Sequence, residues 1–177
     1  MENQNFKIAG SQSNVEWIGK KVTGAHNGTI AVKEGFFTFN NGKLSGGNVT
    51  IDTTSIIILD VTDPATNTQF AGHLASDDFF SIEKFPTASL EIKSAIQQNE
   101  TRYHIEGNLT IKGITHPVAF DLEVNTIADT VAAFGKILID RTKYDMKFRS
   151  GNFFTNLGDT LIYNEFELNV KIIAKAV

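Results

Sequence analysis

The sequence predicts an all-β protein, a closed antiparallel barrel of about eight strands with one short helix over residues 65–80. Two observations lead to this prediction. Apolar and polar residues alternate with period two through most of the chain, and short runs rich in glycine and asparagine separate the alternating segments. Such a set of antiparallel strands must close, stack as a sandwich or leave exposed edges, and closure is the simplest arrangement that leaves none.

The first third of the chain contains four short alternating runs. We predict strands at residues 15–19, 29–33, 36–40 and 49–52, and a turn at Gly46 and Gly47. Glycine and asparagine lie between these runs, where they favour turns. Residues 1–10 are polar, and the prediction places no strand there.

Residues 65–80 are the one segment that does not alternate. After Pro64, residues that fit one helix face recur at positions 66, 69, 70, 73 and 74. We therefore predict a short helix, with residues 60–63 as the loop that leads into it.

The second half of the chain carries the clearest alternation. The apolar residues that share a parity within successive runs are Leu90, Ile92 and Ile96, then Tyr103, Ile105, Leu109 and Ile111, then Val118, Phe120, Leu122 and Val124. The second and third of these runs predict a hairpin around residues 113–117. Two further runs contain Val131, Ile137 and Ile139, then Ile162, Phe166, Leu168, Val170 and Ile172. Phe134 and Leu138 interrupt the alternation in the run that contains Val131, Ile137 and Ile139.

Length and composition limit the class of protein. A chain of 177 residues with 41% apolar and 20% charged residues is typical of one folded domain, so we predict a single domain over residues 1–177. The formal net charge of -4 disfavours nucleic acid as a partner, because nucleic acid binds basic surfaces. The chain has no cysteine, so neither disulfides nor thiolate chemistry contribute.

The ends and hydropathy of the chain bear on its location. No basic segment followed by an apolar run occurs at the N-terminus, and no stretch is long and apolar enough to span a bilayer. These features predict a cytoplasmic protein without an integral membrane segment, or a periplasmic or secreted one if a leader has been trimmed away.

Several segments form a longer sequence signature. Residues 72–80 read GHLASDDFF and are followed by EKFPTA at 83–88. The other segments are WIGK at 17–20, GAHNG at 24–28, GNLTIKGITHPV at 107–118 and IDRTKY at 139–144. In this order, and over nearly the whole chain, they resemble the YceI-like family. One departure is His116, which stands where many members have a basic residue.

The resemblance implies a lipocalin-like barrel of eight antiparallel strands around an elongated tunnel. It also implies that the tunnel binds a polyisoprenoid or another long-chain amphiphile. The predicted function is therefore the carriage, storage or sequestration of such a lipid, without catalysis and without a cofactor. We expect a lipid partner and no nucleic acid, while the oligomeric state stays open and includes a homodimer.

The side chains expected to contact the ligand are those on the apolar parity of the strands, with two aromatic residues, Phe79 and Phe80, near an opening. The predicted ligand-binding residues are Trp17, Phe79, Phe80, Ile92, Tyr103, Ile105, Phe120, Leu122, Phe166 and Leu168.

Two other functions remain open at this point. One is an enzyme that acts on a lipid-like substrate, with His73 and Asp78 as proton-transfer groups at the tunnel mouth. The other is a packed barrel that serves as an interaction module. The four histidines, at positions 26, 73, 104 and 116, lack a local metal-binding spacing, so no metal site is predicted.

Overall fold

The computed structural model describes residues 3–151, 157 and 161–177. Nine antiparallel strands and one α-helix make up the described chain. The strands are β1 (Asn3–Ile8), β2 (Asn14–Lys21), β3 (Gly24–Asn40), β4 (Lys43–Ile58), β5 (Thr87–Gln97), β6 (Arg102–Ile111), β7 (Ile114–Ile127), β8 (Thr130–Asp140) and β9 (Ile162–Ala176). The helix is α1 (Pro64–Ala75), and 3-10 turns occupy Gly10–Gln12 and Arg141–Tyr144.

The strands from β2 to β9 form a closed barrel. Neighbouring strands pair in the order β3, β2, β9, β8, β7, β6, β5 and β4, and β4 pairs with β3 to complete the circle. The predicted closed antiparallel barrel with a short helix is thus confirmed.

Strand β1 is a ninth strand that the sequence prediction lacked. It pairs with the end of β3 and with the end of β9, where Phe6 lies opposite Phe37 and Ala176. Only Phe6 and Ile8 of this strand are buried. Two apolar residues in a polar segment are too few to signal a strand, which explains the omission.

Strand β3 is continuous where two separate strands were predicted, and Gly46 and Gly47 lie within β4 rather than in a turn. Both predictions were wrong because glycine here permits close strand contact. A Cβ at Gly47 would lie 2.3 Å from the Phe36 carbonyl oxygen, and one at Gly35 would lie 2.3 Å from the Asn48 carbonyl oxygen. The β3–β4 pairing shifts register at several bulges, which bend the long hairpin around the barrel.

The predicted hairpin between β6 and β7 is confirmed, with a tighter turn than expected. Ile111 pairs with Ile114, so Lys112 and Gly113 alone form the turn. Both have positive φ, 54° and 72°, which is typical of the two-residue turns that match strand twist. Pro117 lies inside β7, opposite Asn108.

Helix α1 ends earlier than predicted, at Ala75 instead of residue 80. At its start, the Asp63 carboxylate accepts a hydrogen bond from the Thr66 backbone N–H at 2.9 Å, and Pro64 takes the first helical position. At its end, the Ser76 N–H donates to the His73 carbonyl, and residues 76–80 continue as turns. In the described part of the chain, no helix has the length and hydropathy needed to cross a bilayer.

Candidate functional site: a cavity inside the barrel

The barrel encloses a cavity of about 230 Å³ whose exposed wall is apolar. All eight strands of the closed barrel contribute to this wall, together with α1 and the turns that follow it. The alternation of the sequence explains why, since every second residue of a barrel strand points inward. On β9, for example, the wall includes Phe166, Leu168, Val170 and Ile172.

Eight of the ten predicted ligand-binding residues line this cavity. They are Trp17, Phe79, Phe80, Ile92, Phe120, Leu122, Phe166 and Leu168. They come from strands β2, β5, β7 and β9 and from the turns after α1. Their contact with a ligand remains a prediction.

Tyr103 and Ile105 do not line the cavity, although both point into the barrel. They are only 3% and 0% exposed, because the end of the barrel at which β6 begins is filled by side chains. There the Phe6 and Phe39 rings pack edge to face at 5.0 Å, and the Leu44 N–H donates to the Tyr103 hydroxyl at 3.3 Å. The interior therefore has one filled end and one end with free space.

Aromatic side chains of α1 and the following turns cover the other end. Phe70 of α1 packs edge to face against Trp17, with ring centroids 6.5 Å apart, and against His26 at 4.8 Å. Phe80 packs against Phe166 at 6.5 Å. We define the mouth of the cavity as this covered end.

Trp17 lines the cavity on the β2 side. A Cβ at Gly28, on the facing residue of β3, would lie 2.6 Å from Cζ2 of Trp17 and 1.8 Å from the Ile57 carbonyl oxygen, so glycine is required there. The Trp17 Nε1–H is buried and has no hydrogen-bond partner among the residues that the structure describes. Leaving such a donor unpaired typically costs about 1–3 kcal/mol.

Arg141, on the 3-10 turn after β8, is a buried cation that borders the cavity and is 3% exposed. Its Nε donates to the Tyr163 carbonyl at 3.0 Å, its Nη2 donates to the Ile162 carbonyl at 3.0 Å, and its Nη1 donates to the Met146 carbonyl. Burial lowers the pKa of the guanidinium from its ordinary value, and the Asp140 carboxylate partly offsets this shift. Arg141 thus joins the end of β8 to the start of β9.

Two histidine–aspartate pairs lie near the mouth. His26 Nδ1 is 2.7 Å from an Asp60 carboxylate oxygen, and the Asn27 N–H donates to the other oxygen at 3.1 Å. Burial acts to raise the pKa of Asp60, but these hydrogen bonds outweigh it and hold the pKa below its ordinary value. His73 Nε2 is 3.1 Å from Asp78 Oδ2.

Neither pair resembles a metal centre. No group of three or more potential metal ligands occurs within residues 3–151, 157 and 161–177. His26 borders the cavity, whereas His73 and Asp78 do not. The His73 ring instead packs between the rings of Phe79 and Phe148, at 5.0 and 4.5 Å.

Three cationic residues that border the cavity were absent from the predicted ligand-binding set: Lys20, Lys21 and Arg141. Lys21 had a sequence signal, because it shares its parity with Trp17 and Gly19 on β2. The alternation gave no such signal for Lys20 or for Arg141.

Comparison with known proteins agrees with this architecture. A UPF0312 protein from Staphylococcus aureus is 30% identical over 154 residues, which cover 81% of this chain and 83% of the relative. The Protein YceI of Escherichia coli O6:H1 is 31% identical over 99 residues, which cover 55% of this chain and about half, 48%, of that relative.

Solved structures show the same fold at low sequence identity. BcnA of Burkholderia cenocepacia has a TM-score of 0.72 at 20% identity, and the match covers 95% of this chain and 99% of that one. A polyisoprenoid binding domain from Saccharophagus degradans has a TM-score of 0.70 at 11% identity, with 97% and 98% covered. The family model described as the YceI-like domain matches residues 6–174. The chain therefore belongs to the YceI-like family.

Proposed function

We propose that this protein binds a long-chain isoprenoid or a similar amphiphilic lipid inside its barrel, and that it carries, stores or sequesters that lipid without catalysis. The observation that supports this most directly is the apolar cavity of about 230 Å³, which lies beneath the aromatic side chains of the mouth. A polyisoprenoid-binding domain with the same fold gives independent support for this class of ligand.

The physical driving force would be the removal of hydrocarbon surface from water. At about 25 cal/mol per Å², burial of several hundred Å² yields roughly 10 kcal/mol before ordering costs are subtracted. Sub-micromolar affinity therefore requires no ion pair in the barrel interior.

Native mass spectrometry provides the direct test. After extraction with organic solvent and refolding, the protein should take up one geranylgeraniol molecule per chain, because the proposed site is the apolar cavity of the barrel interior. Geraniol, which has the same head group and half the chain length, is the matched control and should bind much more weakly. Failure to bind any of a panel of prenols, quinones and fatty acyl compounds would contradict the proposed function.

An enzymatic function would depend on the His73–Asp78 pair as its proton-transfer groups. The pair has a simpler explanation, because it links the last turn of α1 to the turn that follows. Neither residue borders the cavity, and the Phe79 ring packs against His73. We therefore interpret the pair as a structural contact that holds the end of α1 against the turn after it.

Substitution of this pair separates the two functions. Asp78→Asn should lower the melting temperature by no more than about 3 °C, because a pair with side chains 37% and 55% exposed contributes only about 0–1 kcal/mol. His73→Ala should cost more, since it also removes ring contacts with Phe79 and Phe148. Ester hydrolysis of a prenyl ester by the parent that both variants lose would instead establish an enzyme.

A further inference from the structure

The filled end of the barrel is a layer of buried side chains that lies below the cavity. Its members come from strands β1, β3, β4, β6, β7, β8 and β9, and each is at most 5% exposed. They are Phe6, Phe39, Leu44, Tyr103, Ile105, Val124, Val131 and Ala174, and none of them lines the cavity. We define these residues as the floor of the cavity.

The boundary between cavity and floor lies at a similar depth on several strands. On β7, Leu122 lines the cavity, whereas Val124, the next residue on the same face, does not. The same change occurs between Phe37 and Phe39 on β3, between Ala133 and Val131 on β8, and between Ile172 and Ala174 on β9. Two residues along a strand span about 7 Å, so the cavity ends abruptly.

The floor is built on paired strands. Phe6 lies on β1, which pairs with β3 on one side and with β9 on the other. The Ala9 N–H that follows β1 donates to the Ile173 carbonyl at 2.7 Å, and the Leu44 N–H donates to the Tyr103 hydroxyl. The mouth is covered instead by side chains of α1 and turns. Paired core strands open less readily than such peripheral segments, so a ligand should displace the mouth cover more easily than the floor.

The size of the cavity limits the length of chain that it can enclose. Its volume of about 230 Å³ is below the roughly 300–1,000 Å³ of pockets that enclose drug-sized ligands. A longer chain could pass the floor only by displacing close-packed side chains. Its surplus would therefore remain at the mouth, where further length removes little additional surface from water.

We propose that the floor sets the length of the bound hydrocarbon chain, so that the protein selects isoprenoids of farnesyl or geranylgeranyl length over longer polyprenyl chains. This proposal rests on the proposed function and adds a length specificity to it.

Three floor residues pair directly with residues of the cavity wall and define the limit. Phe6 lies opposite Phe37, Tyr103 opposite Leu122 and Ile105 opposite Phe120.

The test is a competition between alcohols that differ only in the number of isoprene units: farnesol, geranylgeraniol, hexaprenol and octaprenol. Native mass spectrometry measures how much of the protein carries each alcohol after incubation with an equimolar mixture in one detergent. The parent should carry geranylgeraniol at least about tenfold more often than octaprenol. Every variant receives the same mixture, so differences in the solubility of the alcohols cancel when proteins are compared.

Variants of the floor assign the limit to its residues. Phe6→Ala and Ile105→Ala remove side chains next to the wall, and a void persists because a core relaxes only partly. Each should raise the ratio of bound hexaprenol to bound geranylgeraniol at least about fivefold. The control Phe36→Ala removes the same ring as Phe6→Ala from a residue that is 41% exposed, and should keep the parental ratio.

A substitution that adds volume should act in the opposite direction. Ala133 is 1% exposed and lines the cavity at its deep end, so the larger side chain of Ala133→Leu has to enter ligand space. This variant should shift the preference from geranylgeraniol towards farnesol. Phe6→Leu and Ile105→Val create smaller voids and should shift the ratio towards hexaprenol by a smaller factor, which keeps the test open where an alanine variant does not fold.

The outcomes distinguish this proposal from the proposed function. Uptake of octaprenol by the parent at the level of geranylgeraniol would overturn the length limit and leave lipid binding intact. An unchanged ratio of hexaprenol to geranylgeraniol in folded floor variants would overturn it as well. Failure of the parent to bind any of the four alcohols would overturn the proposed function itself.

Discussion

Arg141→Met is expected to lower the free energy of unfolding by about 3 kcal/mol or more, which corresponds to a fall of roughly 6–12 °C in melting temperature. Methionine fills a similar volume but donates no hydrogen bond. The main-chain carbonyls of Met146, Ile162 and Tyr163 would then lose their guanidinium donor at the junction between β8 and β9. Thermal unfolding followed by circular dichroism measures the change on ligand-free protein.

Two further variants define the cause. Arg102→Met is the matched control, because Arg102 is exposed and its contact with Asp121 is a surface ion pair of 3.4 Å, so the melting temperature should stay close to that of the parent. Arg141→Lys keeps the charge but loses the planar fork and should give an intermediate loss. If Arg141→Met unfolded at the temperature of the parent, the three carbonyl contacts would have no stabilising role.

The alternation of the sequence was most informative where strands run without interruption through the barrel. The apolar parities of β6, β7 and β9 all correspond to inward-facing side chains, as Phe120 and Phe166 illustrate. Phe134 and Leu138, which blur the parity of β8, are 39% and 58% exposed and point outward. A barrel makes this possible because each strand has one face inside and one outside along its whole length.

The alternation was misleading where a feature depends on contact between distant segments. The glycines of the β3–β4 hairpin predicted turns, but in the structure they allow two long strands to approach closely. This close approach can be recognised only once the pairing of the two strands is known. The predicted helix over residues 65–80 was also too long, because α1 ends at Ala75. Phe79 and Phe80 cover the mouth from the turns that follow the helix.

Depth along the barrel axis could not be predicted from sequence either. Parity places Tyr103 and Ile105 inside, but whether an inward residue meets a cavity or a packed neighbour depends on which side chains of other strands fill that level. Here β1 supplies Phe6 and Ile8 to the filled end, and β1 itself was not foreseen. The same dependence on tertiary structure hid Arg141, whose partners lie on β9 and in the segment before it.

Leu122→Trp is expected to weaken binding of a geranylgeranyl ligand at least tenfold, a loss of about 1.4 kcal/mol or more, while ligand-free protein melts within a few degrees of the parent. Leu122 is 5% exposed and borders the cavity next to the filled end. The Leu122 side chain already fills the space over Gly135 on the neighbouring strand, since a Cβ added at Gly135 would lie only 2.7 Å from Leu122 Cδ2. A larger ring therefore has no room towards the barrel wall. The ring must therefore enter the cavity and occupy ligand space.

A matched substitution on the opposite face isolates this effect. Leu138→Trp adds the same ring at a residue that is 58% exposed on the outer surface of β8, and both affinity and melting temperature should stay near those of the parent. Because the added ring shortens the cavity from its deep end, Leu122→Trp should penalise a geranylgeranyl chain more than a geranyl chain. Overpacking of a filled core typically costs about 1–3 kcal/mol. Destabilisation of that size in ligand-free Leu122→Trp, with no lipid bound by the parent, would establish a packed barrel whose function lies on its outer surface.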